Sequence, residues 1–231
     1  MTGKKVKNAL IGVENESSLH RTLKYRYTGP GGKTEVTVGE FVADGIRKDG
    51  EYIEIQTGSF APLKKKVKEL AAIGKIRIVH PIAVTKKIEV YDKDGSFLYR
   101  RKSPVHGSLW NIFDTLMHAP ELPLIRNVRI EVALIDITEK RINDGKGRRR
   151  RKGISIKDKA LSAWHEGILL EKLSDYLRFV PFKKKEEFTV PLLAERAGID
   201  KDTARKALYV LTKLKVVKRI GKKDAAWLYT R

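Results

Sequence analysis

The sequence contains no cysteine. That excludes disulfides, thiolate zinc sites and cysteine nucleophiles, and it accords with a reducing compartment. Long hydrophobic runs are missing too. The N-terminal stretch MTGKKVKNALIGVENE is too weakly apolar for a signal peptide, and no segment approaches membrane-spanning length. A cytoplasmic protein with no membrane partner is therefore expected. There is no Gly-x-x-x-x-Gly-Lys-Ser/Thr loop to cradle nucleotide phosphates, and no Gly-x-Ser-x-Gly nucleophile elbow. The histidines His20, His80, His106, His118 and His165 show no zinc-ligand spacing, and no internal repeat is present.

Negative charge is scarce. Asp and Glu number 28 against 49 Lys and Arg, a formal net charge of +21. Such an excess repels itself unless a polyanion gains from it. Nucleic acid comes first, because neutralising its phosphates releases condensed counterions. An RNA-binding or ribosomal protein, a membrane-surface protein, and a chain using lysines in high-temperature ion-pair networks are other readings of the same charge. The chain is nonetheless 41% hydrophobic over 231 residues, enough to bury real cores.

Periodicity predicts a helix from Glu14 to about Tyr27, capped by Asn15 or Ser17, with Leu19, Leu23 and Tyr27 on one stripe. Strand formers follow over 35–57, folded into a hairpin at Lys48-Asp49-Gly50, which places Asp44 and Glu54 on neighbouring strands. Residues 61–74 read as a helix with lysines opposite Leu63, Val67 and Leu70. Residues 75–84 read as a strand buried on both faces, 86–102 as a hairpin with Asp94-Gly95 at its tip, 108–119 as an amphipathic helix and 127–142 as a long strand. This order suits a mixed central sheet flanked by helices, an α/β domain over residues 1–143. Residues 144–166 read as a basic linker that includes DGKGRRRRKG, and the remainder, 167–231, reads as mainly helical with a terminal hairpin.

Four residues could carry chemistry: Glu16, Asp44, Glu54 and Gln56. Phosphodiester hydrolysis needs hard divalent cations, which take oxygen ligands from carboxylates, substrate and water. Carboxylates on two strands of a hairpin can converge on one ion. Strand alternation points a residue two positions on at the same spot, here Gln56 beyond Glu54, while Ile53 and Ile55 face the core. Glu14 or Glu40 could take the part of Glu16. His20, one turn beyond Glu16, is placed to approach a metal or a phosphate. His80, before Pro81 at the end of a buried strand, reads as structural.

The pattern Asp44-x9-Glu54-Ile55-Gln56, followed by a lysine-rich helix, resembles the PD-(D/E)XK superfamily, which includes many restriction enzymes and archaeal Holliday-junction resolvases. Glu16 is similar to the acidic residue that many members carry in their first helix. The runs NESSLHRTLK, EFVADGIR and EIQTGSF resemble a group of prokaryotic proteins in that superfamily, over roughly residues 14–70. The resemblance implies a restriction-endonuclease-like fold and a Mg²⁺- or Mn²⁺-dependent DNA endonuclease. Asp44, Glu54 and Glu16 would hold metal, and Gln56 would orient the attacking water. Two departures stand out. Ala43 replaces the usual Pro, and Gln56 replaces the usual Lys, a place some active members fill with Gln. Lys64, Lys65 or Lys66 could supply the missing charge.

The C-terminal pattern is similar to the winged helices of many prokaryotic regulators. It runs LLEKLSDYLR, TVPLLAERAGI, DTARKALYVLTKL and then VVKRIGKKDAAWLY. Thr189 would cap the second helix and Asp200 or Asp202 the third, with Leu208, Leu211 and Leu214 in the core. DNA would meet Lys201, Thr203, Arg205 and Lys206 on the third helix and Lys218, Arg219, Lys222 and Lys223 on the wing. Arg148, Arg149, Arg150, Arg151 and Lys152 would clamp phosphates between the domains. A helical domain that binds protein is the rival reading of this part. Few base-reading side chains are present, so phosphate contact is expected more than sequence reading. Two further readings of the whole chain stay open. One is a non-catalytic DNA-binding regulator or architectural protein on a degenerate nuclease fold. The other is an RNA-binding protein, disfavoured because the aromatic residues fall on core-type positions. Cutting both strands of a duplex would call for a homodimer.

Overall fold

The computed structural model describes residues 16–147 and 153–231. Helix α1 spans Ser18–Thr28. Ser17 is its cap, its hydroxyl accepting from the His20 N–H, so Glu16 lies just ahead of the helix instead of inside it. Gly29, in the left-handed region at φ 67°, ends it. The stripe of Leu19, Leu23 and Tyr27 is buried as its spacing requires.

An eight-stranded mixed sheet forms the body. Strands β1 (Lys33–Val38), β2 (Phe41–Ile46), β3 (Tyr52–Ile55), β4 (Ile76–Tyr91), β6 (Val128–Asn143) and β7 (Ile154–Trp164) lie side by side in that order. Strand β5 (Phe97–Lys102) adds to the outer half of β4, and β8 (Ile168–Leu170) to the first half of β6. Strands β3, β4 and β6 run parallel, and their neighbours antiparallel. The segments 75–84 and 86–91, read from sequence as separate elements, are one continuous strand with an irregularity between Ala83 and Thr85.

Both faces of the parallel centre are covered, which explains its unbroken apolar runs. On one face α1 packs Leu19, Leu23 and Tyr27 against Ile53, Ile55, Val79, Ala133 and Ile135. On the other lie α2 (Lys64–Ile73), α3 (Ile112–Leu116) and the C-terminal portion. The helix expected over 108–119 is shorter than its pattern suggests, a single 3₁₀ turn followed by α3.

Of the stretch read as a linker, residues 154–164 form a strand of the sheet, and 161–181, which has a helix-like pattern, holds no helix beyond a 3₁₀ segment at Leu173–Phe179. Residues 154–164 are β7, which returns along β6, and β8 follows. The apolar side chains of this stretch found their partners across β6, and that pairing overrode a helix-like local pattern. Helices α4 (Val190–Ala197) and α5 (Lys201–Lys213) follow, then a hairpin of β9 (Lys218–Lys223) and β10 (Ala226–Thr230). Asp200 caps α5 through the Asp202 and Thr203 N–H groups. Thr189 holds the cap position of α4 without a side-chain hydrogen bond. Leu208, Leu211 and Leu214 are buried.

One apolar cluster runs from Ala43, Phe60 and Val67 beside the sheet through to Leu193, Leu211 and Tyr229. Phe179 is the joint, with its ring centroid 4.8 Å from Phe113 and 5.1 Å from Trp110. The C-terminal portion is thus seated on the sheet through shared core. Among the described residues, no helix is long and apolar enough to cross a membrane.

Candidate active site

Strands β2 and β3 pair only through Gly45–Ile53 and Ile46–Tyr52 and then diverge. Beyond the last pair the Ile55 N–H has no strand partner on the β2 side, and the Asp44 carboxylate takes it instead, Oδ2 accepting at 2.7 Å. The Asp44 side chain is largely buried there, 18% exposed. Gly45 lets the end of α1 approach β2 closely, because a Cβ there would collide with Thr28 Oγ1.

On the α1 face, His20 Nε2 lies 3.1 Å from the Ile55 carbonyl and 3.4 Å from Asp44 Oδ2, while Nδ1 meets Glu16. Both ring nitrogens face acceptors, so both carry protons and the ring is an imidazolium. Burial pushes the imidazole down. The hydrogen bond and charge of Asp44, then those of Glu16, outweigh it and hold its pKa up at about 9. Lys24, buried one turn on, binds Glu16 at 2.7 Å and Glu35 at 2.8 Å. Burial acts to raise the Glu16 carboxyl, but Lys24 and then His20 hold it below the usual carboxylate range.

On the α2 face, Glu54 is 5% exposed. Its Oε1 accepts from Lys66 Nζ at 2.5 Å, while its Oε2 is buried with no hydrogen-bond partner. Burial, and then the charge of Asp44, push Glu54 up to about 7 against the pull of Lys66. Burial also acts to raise Asp44, but the hydrogen bond and charge of His20 hold it below its ordinary value.

The structure therefore brings Asp44 and Glu54 together, as their spacing predicts, and separates Glu16 from them. The His20 ring stands between Glu16 and Asp44. Gln56 lies past the end of β3, and its side-chain amide donates to the Ser59 carbonyl at 2.5 Å, bracing its own loop. His80 and Thr115 fix the same loop. His80 Nδ1 lies 2.6 Å from the Gln56 carbonyl, with burial holding the imidazole below its ordinary pKa, and Thr115 Oγ1 donates to the Gly58 carbonyl at 2.9 Å. Of the three candidate lysines, Lys64 pairs with Glu121 and Lys65 with Glu40, and only Lys66 reaches the acidic pair. Lys24 and the Ile55 carbonyl were not anticipated. The i, i+4, i+8 series Glu16, His20, Lys24 was a legible signal for the first.

Among the described residues, no three His, Cys, Asp or Glu side chains form a metal-ligating group. Asp44 and Glu54 lie close enough for the charge of one to act on the other, and the Ile55 carbonyl lies beside Asp44 on the His20 side. A buried carboxylate oxygen without a donor invites a cation, and an all-oxygen set suits Mg²⁺ or Mn²⁺.

Of the expected nucleic-acid contacts, Lys201 and Arg205 are exposed on α5. Thr203 is tied to Asp200, and Lys206 bridges Asp202 at 2.7 Å and Asp114 of α3 at 2.9 Å, which removes it from a free binding face. On the hairpin, Arg219 stands 4.2 Å and Lys222 4.5 Å from the Trp227 ring, with Lys218 and Lys223 exposed beside them. Arg148, Arg149, Arg150, Arg151 and Lys152, like Glu14, lie outside the described residues.

Fold and site together define an α/β protein whose mixed sheet splits around a buried acidic pair and a histidine. Residues 17–171, α1 through β8, match the family model described as Domain of unknown function (DUF8091), and the chain belongs to that family. An uncharacterized protein of Treponema pallidum (strain Nichols) is 30% identical over 151 residues, covering 65% of this chain. The match spans 60% of that relative's length. No solved structure matches.

Proposed function

We propose that the protein is a metal-dependent DNA endonuclease of the restriction-endonuclease-like type, and that its C-terminal portion is a winged helix. The observation that carries this reading is the acidic pair at the sheet split. Asp44 and Glu54 are near enough for their charges to interact, and one buried Glu54 oxygen lacks any donor. Mg²⁺ or Mn²⁺ bound there would polarise a phosphoryl oxygen and lower the pKa of a bound water. Asp44 and Glu54 would hold the ion, with the Ile55 carbonyl beside Asp44 as a further oxygen. Lys66 supplies, from α2, the positive charge that Gln56 does not, and the His80 and Thr115 contacts keep the adjoining loop rigid. Glu16 orients His20 instead of binding metal.

The C-terminal order supports the second part of the reading. A 3₁₀ segment, a bridge from Phe188 to Tyr229, α4, α5 and the β9–β10 hairpin follow the winged-helix sequence of elements. Lys201, Arg205 and the hairpin cations supply phosphate contacts. Two such sites would serve the two strands of a duplex, which favours a homodimer.

The test is incubation with supercoiled plasmid in Mg²⁺, in Mn²⁺ and in EDTA, with the double variant Asp44→Ala, Glu54→Ala as control. Metal-dependent cutting that disappears in the variant is expected. A second reading rests on His20, whose cationic ring already engages Asp44 and the Ile55 carbonyl. It makes the chain a DNA-binding protein on a retired nuclease fold. DNA binding with steep salt dependence and no cutting in either metal would favour it.

A further inference from the structure

A groove of about 690 Å³ opens beside the site, with Glu16 and Thr57 on its rim. Its lining is more polar than apolar, with Pro81, Ala83, Ile135 and Ile137 of β4 and β6 contributing to the apolar part. Lys86, Lys157 and Lys159 stand on its walls. Three carboxylates also line it, but each is turned to a partner. Glu16 holds His20 and Lys24. Asp144 accepts from Ser155 Oγ at 2.7 Å, and Asp158 accepts from the Ser18 and Lys159 N–H groups at 2.9 and 2.7 Å. Among the described residues Lys157 and Lys159 have no ion-pair partner, and Lys86 comes no nearer than 3.9 Å to Glu139. The groove thus offers free cations on a lining that is mainly polar.

We propose that this groove receives one or two unpaired nucleotides of the DNA strand next to the scissile phosphate, so that the preferred substrate carries a single-stranded segment. The inference rests on reading the chain as a DNA nuclease. Size decides against a duplex. A sphere of this volume is about 11 Å across, too small to enclose a duplex whose major groove alone is about 12 Å wide. A single strand fits. Its phosphates would meet the lysines and its bases the smaller apolar part of the lining; among the described residues no aromatic side chain lines the groove, so the phosphate contacts carry the binding. The net charge of +21 favours a polyanion over a peptide as occupant.

The test measures binding of the full chain in EDTA by fluorescence anisotropy, with a blunt duplex and with the same duplex carrying a short unpaired tail. The double variant Lys157→Ala, Lys159→Ala should bind the tailed duplex about tenfold more weakly. Its dependence of log affinity on log salt should be shallower by about 0.7 for each phosphate that the lysines no longer neutralise. Blunt-duplex binding should stay unchanged, and Lys157→Arg, Lys159→Arg should keep the preference for the tail. Equal losses on both DNAs, or no loss on either, would overturn the proposal. Because no cutting is read, this outcome is independent of the plasmid assay. A protein that never cuts but still loses tail binding in the alanine variant refutes the nuclease reading and retains the groove.

Discussion

The charged seam between α1 and β3 makes stability depend on pH in a defined direction. The imidazolium of His20 is favoured by folding, with its pKa moved from 6.5 to about 9. A raised pKa means the folded state binds more protons between those values. The stabilisation is full below pH 6.5 and is lost as pH rises through about 9. At about 1.4 kcal/mol per unit the displacement corresponds to about 3 kcal/mol. The ring is 23% exposed, so solvent screening reduces this to about 1–2 kcal/mol. Glu54 acts in the same direction at lower pH. Its carboxyl, raised from 4.5 to about 7, makes the folded state lose stability as pH climbs through that window. The perturbation that isolates the histidine is His20→Gln, which keeps a polar side chain and removes the charge. Urea unfolding followed across pH 6 to 10 should show the native chain losing stability relative to the variant, with the two curves converging at the alkaline end. Parallel curves over this range would refute the imidazolium assignment. Added Mg²⁺ should raise the unfolding midpoint more at high pH than at low, because the cation and the protonated ring compete for Asp44 and the Ile55 carbonyl.

Other consequences are equally open to measurement. Gly45→Ala drives a Cβ into Thr28 Oγ1 and should cost about 1–3 kcal/mol in chemical denaturation, as overpacking does; an unchanged midpoint would mean that α1 yields freely. Phe179→Ala empties the joint between sheet and C-terminal portion and should cost about 3–5 kcal/mol. The native chain should unfold in one calorimetric transition, and two separated transitions would contradict the shared core. Lys66→Met should abolish plasmid cutting while salt-dependent DNA binding survives; full activity would remove Lys66 from the proposed chemistry.

Much of this protein was legible from side-chain order. The α1 stripe, the Asp44 and Glu54 strands, the hairpin tips at Gly50 and Gly95, the buried run 76–83 and the Asp200 cap all followed from short-range rules of periodicity and turn chemistry. Each depends on neighbours within a few positions. The same rules failed at β7 and β8. Residues 154–170 mix strand formers with Ala, Leu and Lys, and pairing with β6 makes them strands. They failed again at the site. The Asp44–Glu54 spacing placed two carboxylates on adjacent strands. It could not show that β2 and β3 part after Gly45, that His20 enters the gap and draws Glu16 away, or that Lys66 is the lysine that arrives. Sequence alone determined the excess of positive charge and the local conformations where periodicity and turn chemistry were unambiguous. Tertiary packing decided which charges share a low-dielectric space, because burial and pairing over long sequence separations exist only once the sheet has closed around them.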